Sequence, residues 1–370
     1  MEKKIIAAAA AVIFAGAMLT AGKYIKDSGI FRDYPDAEYL TTEEAEHRPI
    51  YNQLDKDEKA VYTALYRGIS QKEEKIPLPM DISGDEYSKI YCILEKQEGS
   101  FFYLDSVYYT AMKVRDAKIA YREKSGINIK SSELGAAVDT ALKSAADYWS
   151  DYEKVRYIND YIVEKCHYVS GDDSEYASTV YGCLVEGKAN CEGYAKTFRL
   201  LASELGVNSV VVTGQTDKGE NHAWNQVEVG GEWFNIDVTW ADTDHDGEIS
   251  QMYFLCSDED FSKTHISDNT LFEPYKCGSN DKNYYAQLGL YAESVDDALD
   301  IVRRELNEGN GIIDLKFADE NSYNEFKDVY ITHQKIFDIV EETSYPYAQM
   351  SSLCCKDNER EHCITLDFTK

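Results

Sequence analysis

Positive charge is scarce in this chain. Against 67 Asp plus Glu stand 38 Lys plus Arg, a formal net charge of −29 at pH 7 over 370 residues. No basic stripe compensates, so a nucleic-acid backbone or an anionic lipid surface is repelled rather than steered in, and no nucleic-acid partner is expected. Long apolar runs are missing too: beyond the N-terminus no segment is apolar enough to span a bilayer. Cysteine is present nine times, yet no C-x-x-C pair or Cys/His cluster has zinc-site spacing. Nine is odd, so at least one thiol stays free even in an oxidising compartment. Eight paired with Cys191 free, or several buried free thiols, satisfy the count equally. Internal repeats and low-complexity linkers are also lacking.

What is there is an ordinary globular composition, 44% hydrophobic, with length enough for two to three domains. Residues 1–22 place Lys3 and Lys4 before an apolar run that starts at Ile5, with Ala15 and Ala17 as a small-residue cleavage point. That pattern is an export signal or, if uncleaved, an N-terminal membrane anchor, and it puts the remainder outside the cytoplasm, extracellular or at the cell surface. Residues 40–130 read as a small mixed α and β region. "PIYNQLDKDEKAVYTALYRGI" carries a helical pattern and "KIPLPMDIS" is extended before a second helix. "FFYLDSVYYTAMKV" and "AKIAYREK" are aromatic and β-branched enough for strands. Residues 131–290 begin with two helices, the first capped near Ser131 or Ser132, the second carrying Val155, Ile158 and Ile162 at helical spacing. "MYFLCS" is a candidate further strand. Residues 295–370 read as a β-α-β domain: a leading helix from Val295, the strand "GIIDLKF", one helix over "NSYNEFKDVYITHQKIFDIVEE" and the strand "HCITLDF".

The centre carries the chemistry. In "ANCEGYAKTFRLLASELG", Tyr194, Phe198, Leu201 and Leu205 recur at helical steps and Gly206 is a natural stop. Asn190 is a favourable N-cap, which puts Cys191 at the first helical position, where unpaired N–H groups and the helix dipole favour a thiolate and offer donors to an oxyanion. A cysteine so placed is by itself more often a small buried hydrophobe than a nucleophile. A nucleophile needs a base, and the base an orienting group. Both are available in "NHAWNQVEVGGEWFNIDVTW", whose two alternating runs flank Gly230-Gly231, a two-residue hairpin signal. That turn pairs Val229 with Glu232 and carries the register on to Trp224 opposite Asp237 and His222 opposite Thr239. His222 and Asp237 are then diagonal neighbours on one face, about 7 Å apart at Cβ. A one-residue slip would separate them to opposite faces. The arrangement expects His222 to take the Cys191 proton while Asp237 fixes its tautomer. Trp224 and Trp240 are candidates to exclude water, or ordinary sheet-packing aromatics.

These segments, Cys-Glu-Gly-Tyr-Ala at 191–195, His-Ala-Trp-Asn at 222–225 and the Asp before Val-Thr-Trp at 237, resemble the transglutaminase-like superfamily, in the order of its papain-like Cys-His-Asp core. The likeness covers roughly residues 151–290, and the flanking regions are loosely similar to exported bacterial members. It implies an α+β fold in which helices pack on an antiparallel sheet, with additional small α/β regions on both sides. It also implies catalytic Cys191, His222 and Asp237 attacking a peptide or protein amide. The family often supplies an oxyanion donor from a glutamine or tyrosine preceding the cysteine. No glutamine stands there, and Tyr181 is the candidate, its alternative role being to close the loop over the core.

"DTDHDGEIS" puts Asp242, Asp244, Asp246 and Gly247 at the first, third, fifth and sixth positions of a calcium loop. The twelfth is Tyr253 rather than glutamate, so a solvated acidic turn is preferred over calcium and no cofactor is expected. The leading expectation is a cysteine protease or amidase, with hydrolysis favoured because no acyl-acceptor pocket is legible. A protein-glutamine transamidase and a noncatalytic surface protein that binds peptide are the alternatives.

Overall fold

The computed structural model describes residues 34–105, 108–122, 125–146, 149–170, 174–243, 249–346 and 353–369. The leader at 1–22 and two of the three calcium-loop aspartates, Asp244 and Asp246, lie outside them. Among the described residues no helix is long and apolar enough to cross a membrane. The fold is α+β, helices on antiparallel sheet, and the chain divides into two units.

The smaller unit draws on segments within 34–40, 55–91 and 108–120. Asp55 caps helix α1 (Lys56–Ser70), accepting from the N–H groups of Asp57 and Glu58 while Glu58 reaches back. The helical pattern seen from Pro49 is therefore two helices, Pro49–Gln53 and α1, broken at Leu54. Strand β1 (Lys75–Ser83) pairs antiparallel with β2 (Lys113–Lys118), and helix α2 (Gly84–Gln97) follows β1. Among the described residues, the expected strand in "FFYLDSVYYTAMKV" is instead a 3-10 turn at Gly99–Phe101 and an isolated bridge of Leu104 with Tyr121, and only Lys113 and Val114 join a strand, β2. Phe101, Phe102 and Tyr103 are buried together, with Phe102 against Tyr103 at 5.3 Å, rather than alternating across a ladder.

The larger unit holds the rest. Helix α3 (Ile127–Leu142) begins before the expected serine cap, behind Gly126. Helix α4 (Asp151–Lys165) is capped by Ser150 in a reciprocal box with Glu153, and Val155, Ile158 and Ile162 are fully buried as their spacing requires. The chain then passes a short parallel pair, His167–Tyr168 with Lys188–Ala189, which delivers it to Asn190. Helix α5 (Cys191–Glu204) starts where capping chemistry sets it: Asn190 Oδ1 accepts from the N–H of Glu192 at 3.1 Å and of Gly193 at 3.2 Å. It stops at Gly206, φ 74°. Tyr194, Phe198 and Leu201 are buried along one stripe, each worth about 2 kcal/mol on removal from water.

The central sheet has strands β3 (Ser209–Thr216), β4 (Asn221–Val229), β5 (Glu232–Ile236) and, after a short helix α6 (Val238–Ala241), β6 (His265–Ser267), in the order β5-β4-β3-β6. The hairpin between β4 and β5 turns through Gly230 and Gly231 at φ 63° and 87°, left-handed backbone that glycine adopts without penalty. Its register runs from Val229 with Glu232 to Asn225 with Ile236, the pairing that the glycine turn predicts. Side chains alternate accordingly. Ala223 and Asn225 face α5, and Asn225 Nδ2 donates to the Ala195 carbonyl at 2.9 Å. His222, Trp224 and Gln226 point to the other face. "MYFLCS" forms one bridging pair, Cys256 with Asn235, not a strand, because Leu255 adopts φ 56° and turns the chain out of the ladder.

Further along, strands β7 (Tyr291–Ala292), β8 (Ile312–Phe317), β9 (Cys354–Asn358) and β10 (Cys363–Asp367) form a second sheet ordered β9-β10-β8-β7. Helix α7 (Val295–Glu308) buries Leu299, Val302 and Leu306 against it. The single helix expected after β8 is segmented: Glu320–Phe326, a π-helical stretch to Thr332, and Ile336–Glu341 after Gln334 at φ 59°.

Candidate active site

The N-terminus of α5 is held from three sides. Asn190 N–H donates to the Ala177 carbonyl at 3.0 Å. A Cβ on Gly193 would lie 2.4 Å from that same carbonyl oxygen, so only glycine lets the loop 176–179 close under the helix. On the third side, Lys96 and Lys196 share the carboxylates of Glu95 and Glu192, with Lys96 to Glu192 and Lys196 to Glu192 both at 2.7 Å. Glu192 follows Cys191 directly, so this ion quartet clamps the first turn of the helix. Sequence reading did not find it, because α2 and α5 are about a hundred positions apart and neither carries a local signal.

Burial opposes ionisation of Glu192, but Lys196 and Lys96 outweigh it and bring its carboxyl from 4.5 down to about 2. A carboxylate depressed on folding contributes stability above its unfolded value, lost as pH falls through the folded one. Urea unfolding of the wild type should therefore weaken between pH 4.5 and pH 2 by up to about 3 kcal/mol from this group. In Glu192→Gln that share of the acid limb should vanish, and stability at pH 7 should fall. Equal losses between pH 7 and pH 3 in variant and wild type would remove the role given to Glu192.

Cys191 is half-buried and packs against Ala195, Val211 and Ala223, at the junction of α5, β3 and β4. By contrast Cys166, Cys183, Cys256, Cys277 and Cys363 are buried thiols joined in no disulfide, so the count resolves toward buried free thiols. Burial pushes the Cys256 thiol up to about 12 and that of Cys363 up to about 11, keeping both protonated and inert.

His222 stands at the start of β4, one residue before Ala223. Its Nε2 lies 2.7 Å from Oδ2 of Asp237, the residue just past the end of β5. A carboxylate only accepts, so Nε2 carries the proton and Nδ1 is the nitrogen left over. Asp237 also caps α6, its Oδ1 accepting from the N–H of Thr239 at 2.8 Å and of Trp240 at 3.1 Å. Burial alone would lower the His222 imidazole; the Asp237 carboxylate, with smaller contributions from the Cys191 thiol, reverses this and lifts it from 6.5 to about 10. Burial likewise disfavours the Asp237 charge, and His222 followed by His265 overcomes it and holds the carboxyl far below its usual range.

The two tryptophans singled out in the sequence bracket this pair. The Trp224 and Trp240 rings lie 6.2 and 5.5 Å from the His222 ring. Tyr181 is engaged elsewhere: its hydroxyl donates to Glu133 at 2.5 Å and its ring stacks on Phe102 at 5.2 Å. The Asp242 carboxylate accepts from the Tyr194 hydroxyl at 2.5 Å, so the first aspartate of the calcium-like loop is turned into the protein against α5.

One residue at the site was missed. His265 opens β6, and its Nε2 lies 3.0 Å from the same Asp237 Oδ2. Nothing in "FSKTHISDN" alternates like a strand, and only the pairing of Thr216 with His265, nearly fifty positions apart, brings it in. His222, Asp237 and His265 are a donor set of the kind that holds divalent metals, their ligand atoms all within 4.8 Å of one another. Here the nitrogens instead serve the carboxylate as hydrogen-bond donors. A cavity of about 340 Å³ lies on this face of the sheet, lined by Trp224, Gln226, Asn235, Phe261, His265 and Tyr275.

Residues 139–238 match the sequence profile of the Transglutaminase-like superfamily. Kyphoscoliosis peptidase of Mus musculus is 32% identical over 169 residues, 39% of this chain and 24% of that one. The Homo sapiens protein of that name is 31% identical over 144 residues, 32% of this chain and 21% of its own. The chain thus spans less than a quarter of the length of these curated relatives. A solved structure of a TGase aligns over 42% of this chain and 47% of its own, with 16% identity and a TM-score of 0.28. In this chain the helix-capped cysteine segment and the histidine-bearing hairpin both fall inside residues 139–238, the stretch similar to the transglutaminase-like superfamily.

Proposed function

We propose that this chain is a cysteine-dependent acyl-transfer enzyme that hydrolyses peptide or protein amides through Cys191, His222 and Asp237. The observation that carries the reading is the His222–Asp237 hydrogen bond of 2.7 Å, made at Nε2, with the half-buried Cys191, at the first position of a capped helix, within side-chain hydrogen-bonding reach of His222. Nδ1 of His222 is then the nitrogen that serves the thiol. Asp237 favours the protonated His222 ring, which supplies the proton for the departing amine, while Sγ attacks as its thiolate.

Chemistry follows from that pair. Sγ attacks the amide carbonyl, and the C–N bond breaks as the proton on Nδ1 passes to the departing amine, leaving a thioester. Water then gives a proton back to Nδ1 as its oxygen bonds to the acyl carbon, releasing the acid and the thiolate. Of the first-turn N–H groups, those of Glu192, Gly193 and Tyr194 go to Asn190, so the N–H of Cys191 is assigned to the oxyanion. Trp224 and Trp240 support the site by shielding the imidazolium from solvent.

The curated relatives' name includes the word peptidase, which is said of those proteins and agrees with hydrolysis here. Export, or anchoring at the cell surface, is proposed from the sequence of residues 1–22 alone. The test is partition of the acyl-enzyme. A peptide library is offered with ¹⁸O water and a millimolar primary amine, and products are read by mass spectrometry. One ¹⁸O per new carboxyl with little amine adduct is expected. Dominant amine adduct would replace hydrolysis by transamidation, and no product of either kind, with Cys191 unmodified by peptide electrophiles, would leave a noncatalytic peptide binder.

A further inference from the structure

Oδ2 of Asp237 accepts from two imidazoles at once, His222 Nε2 at 2.7 Å and His265 Nε2 at 3.0 Å. The two rings are not equivalent. His265 has no exposed side-chain surface. Its Nδ1 is 2.7 Å from the Thr264 hydroxyl, its ring stacks on Phe261 with centroids 3.9 Å apart, and the Trp240 ring lies at 4.5 Å. Nε2–H must donate to the carboxylate, and the Thr264 hydroxyl, which also donates to the Phe261 carbonyl at 3.3 Å, holds the Nδ1 side of the ring in place. Although His265 borders the cavity on this face, its side chain has no exposed surface.

We infer that His265 is a positioning residue: by donating to Oδ2 it stops the Asp237 carboxylate from rotating and divides its charge between two imidazoles, which sets how firmly Asp237 holds the proton on His222. The inference rests on the Cys191–His222–Asp237 reading and adds to it the group that tunes the base. Asp237 alone would give its whole charge to His222, making an imidazolium too reluctant to release its proton to the leaving amine.

The titratable and charged groups facing the two histidines come from several elements. Asp237 follows β5 and Cys191 heads α5. Tyr253 stands 5.3 Å from the His265 ring, with its hydroxyl donating to Glu361 at 2.6 Å and Arg360 next in sequence. Asp258, Glu273 and Lys276 line the cavity that His265 also lines. Only Asp237 and Cys191 act on His222 as leading contributors, so a change at His265 should reach His222 through Asp237.

The test is a ¹⁵N NMR titration of histidine-labelled full chain, with iodoacetamide alkylation of Cys191 measured on the same samples. In the wild type His222 should titrate near 10. His265→Phe keeps the ring stack but removes the donor, and should move the His222 titration upward by about half a unit or more. His265→Gln restores an N–H at the Nε2 position and should bring it back, and kcat should follow the same order with KM unchanged. If His265→Phe leaves His222 unmoved, or Phe and Gln move it alike, the sharing is refuted and His265 only packs. Should His265→Phe fail to fold, Thr264→Val removes the hydroxyl that holds the Nδ1 side of the His265 ring and should give a smaller shift in the same direction; no shift there refutes the inference too. The alkylation rate keeps the two readings apart. Fast alkylation without a His222 shift removes the role of His265 and spares the triad, whereas the shift with an inert Cys191 sustains the shared carboxylate and removes the triad.

Discussion

Cys191→Ala should abolish covalent capture of a peptide electrophile and lower peptide cleavage by about 10⁴-fold or more, while leaving the fold in place. The two halves of this expectation have different origins. Activity falls because the thiol packed at the junction of α5, β3 and β4 is that of Cys191. Stability holds because Cys191 is half-buried against the small side chains of Ala195 and Ala223 and against Val211, so removing one sulfur leaves little cavity. Urea midpoints within about 1 kcal/mol of wild type, measured beside turnover, check the second half. Cys191→Ser is the sharper comparison. It preserves shape and a polar group at the same point, but a hydroxyl is a far weaker nucleophile than a thiolate there, so cleavage should fall nearly as far.

Asp237→Asn should cost both function and stability. Every lone-pair direction of this carboxylate is in use: Oδ1 serves the N–H groups of Thr239 and Trp240, and Oδ2 serves His222 and His265. An amide supplies one oxygen and one NH₂. Whichever way it is turned, the NH₂ meets two N–H donors, either the cap of α6 or the two imidazoles. The imidazoles can escape only by changing tautomer, which gives up the N–H that each donates to Asp237. Loss of a buried ionic partner in such a network is worth about 3–5 kcal/mol. Presenting the wrong His222 tautomer to the thiol should lower turnover by about 10³-fold or more in the fraction that remains folded. Circular dichroism melts together with turnover below the variant's melting temperature separate the two effects. A variant as stable as wild type would contradict the four-donor account of Asp237.

The parts of this architecture written in local chemistry were legible from the residues. Asn190 before an amphipathic run specifies where α5 starts, because a short polar side chain satisfies the N–H groups of Glu192 and Gly193. Gly230-Gly231 specifies the hairpin turn, and the turn fixes the register that brings His222 to Asp237, since strand pairing admits no half steps. The parts set by distant packing were not. His265 reaches the site only because a three-residue strand pairs with the far end of β3. The Glu95, Lys96, Glu192 and Lys196 quartet joins two helices whose charges each look like ordinary solvated faces. The helix expected over 321–342 breaks at Gln334, and "MYFLCS" curls at Leu255; in both, a non-glycine residue adopts left-handed backbone, a choice dictated by surrounding structure and not by propensity. Tyr181 illustrates the same limit: its place ahead of Cys191 was legible, whereas its hydrogen bond to Glu133 was not.

The central claim is that Cys191 is the nucleophile and that His222 activates it. The most direct measurement is the rate of Cys191 alkylation by iodoacetamide at pH 6 in native wild type, in His222→Ala, and in wild type unfolded by urea. An ordinary thiol is almost wholly protonated at that pH. The account predicts alkylation at least about tenfold faster in native wild type than in the unfolded chain, and loss of that advantage in His222→Ala. Alkylation of Cys191 that appears only on unfolding, or that is equally fast without His222, would contradict it.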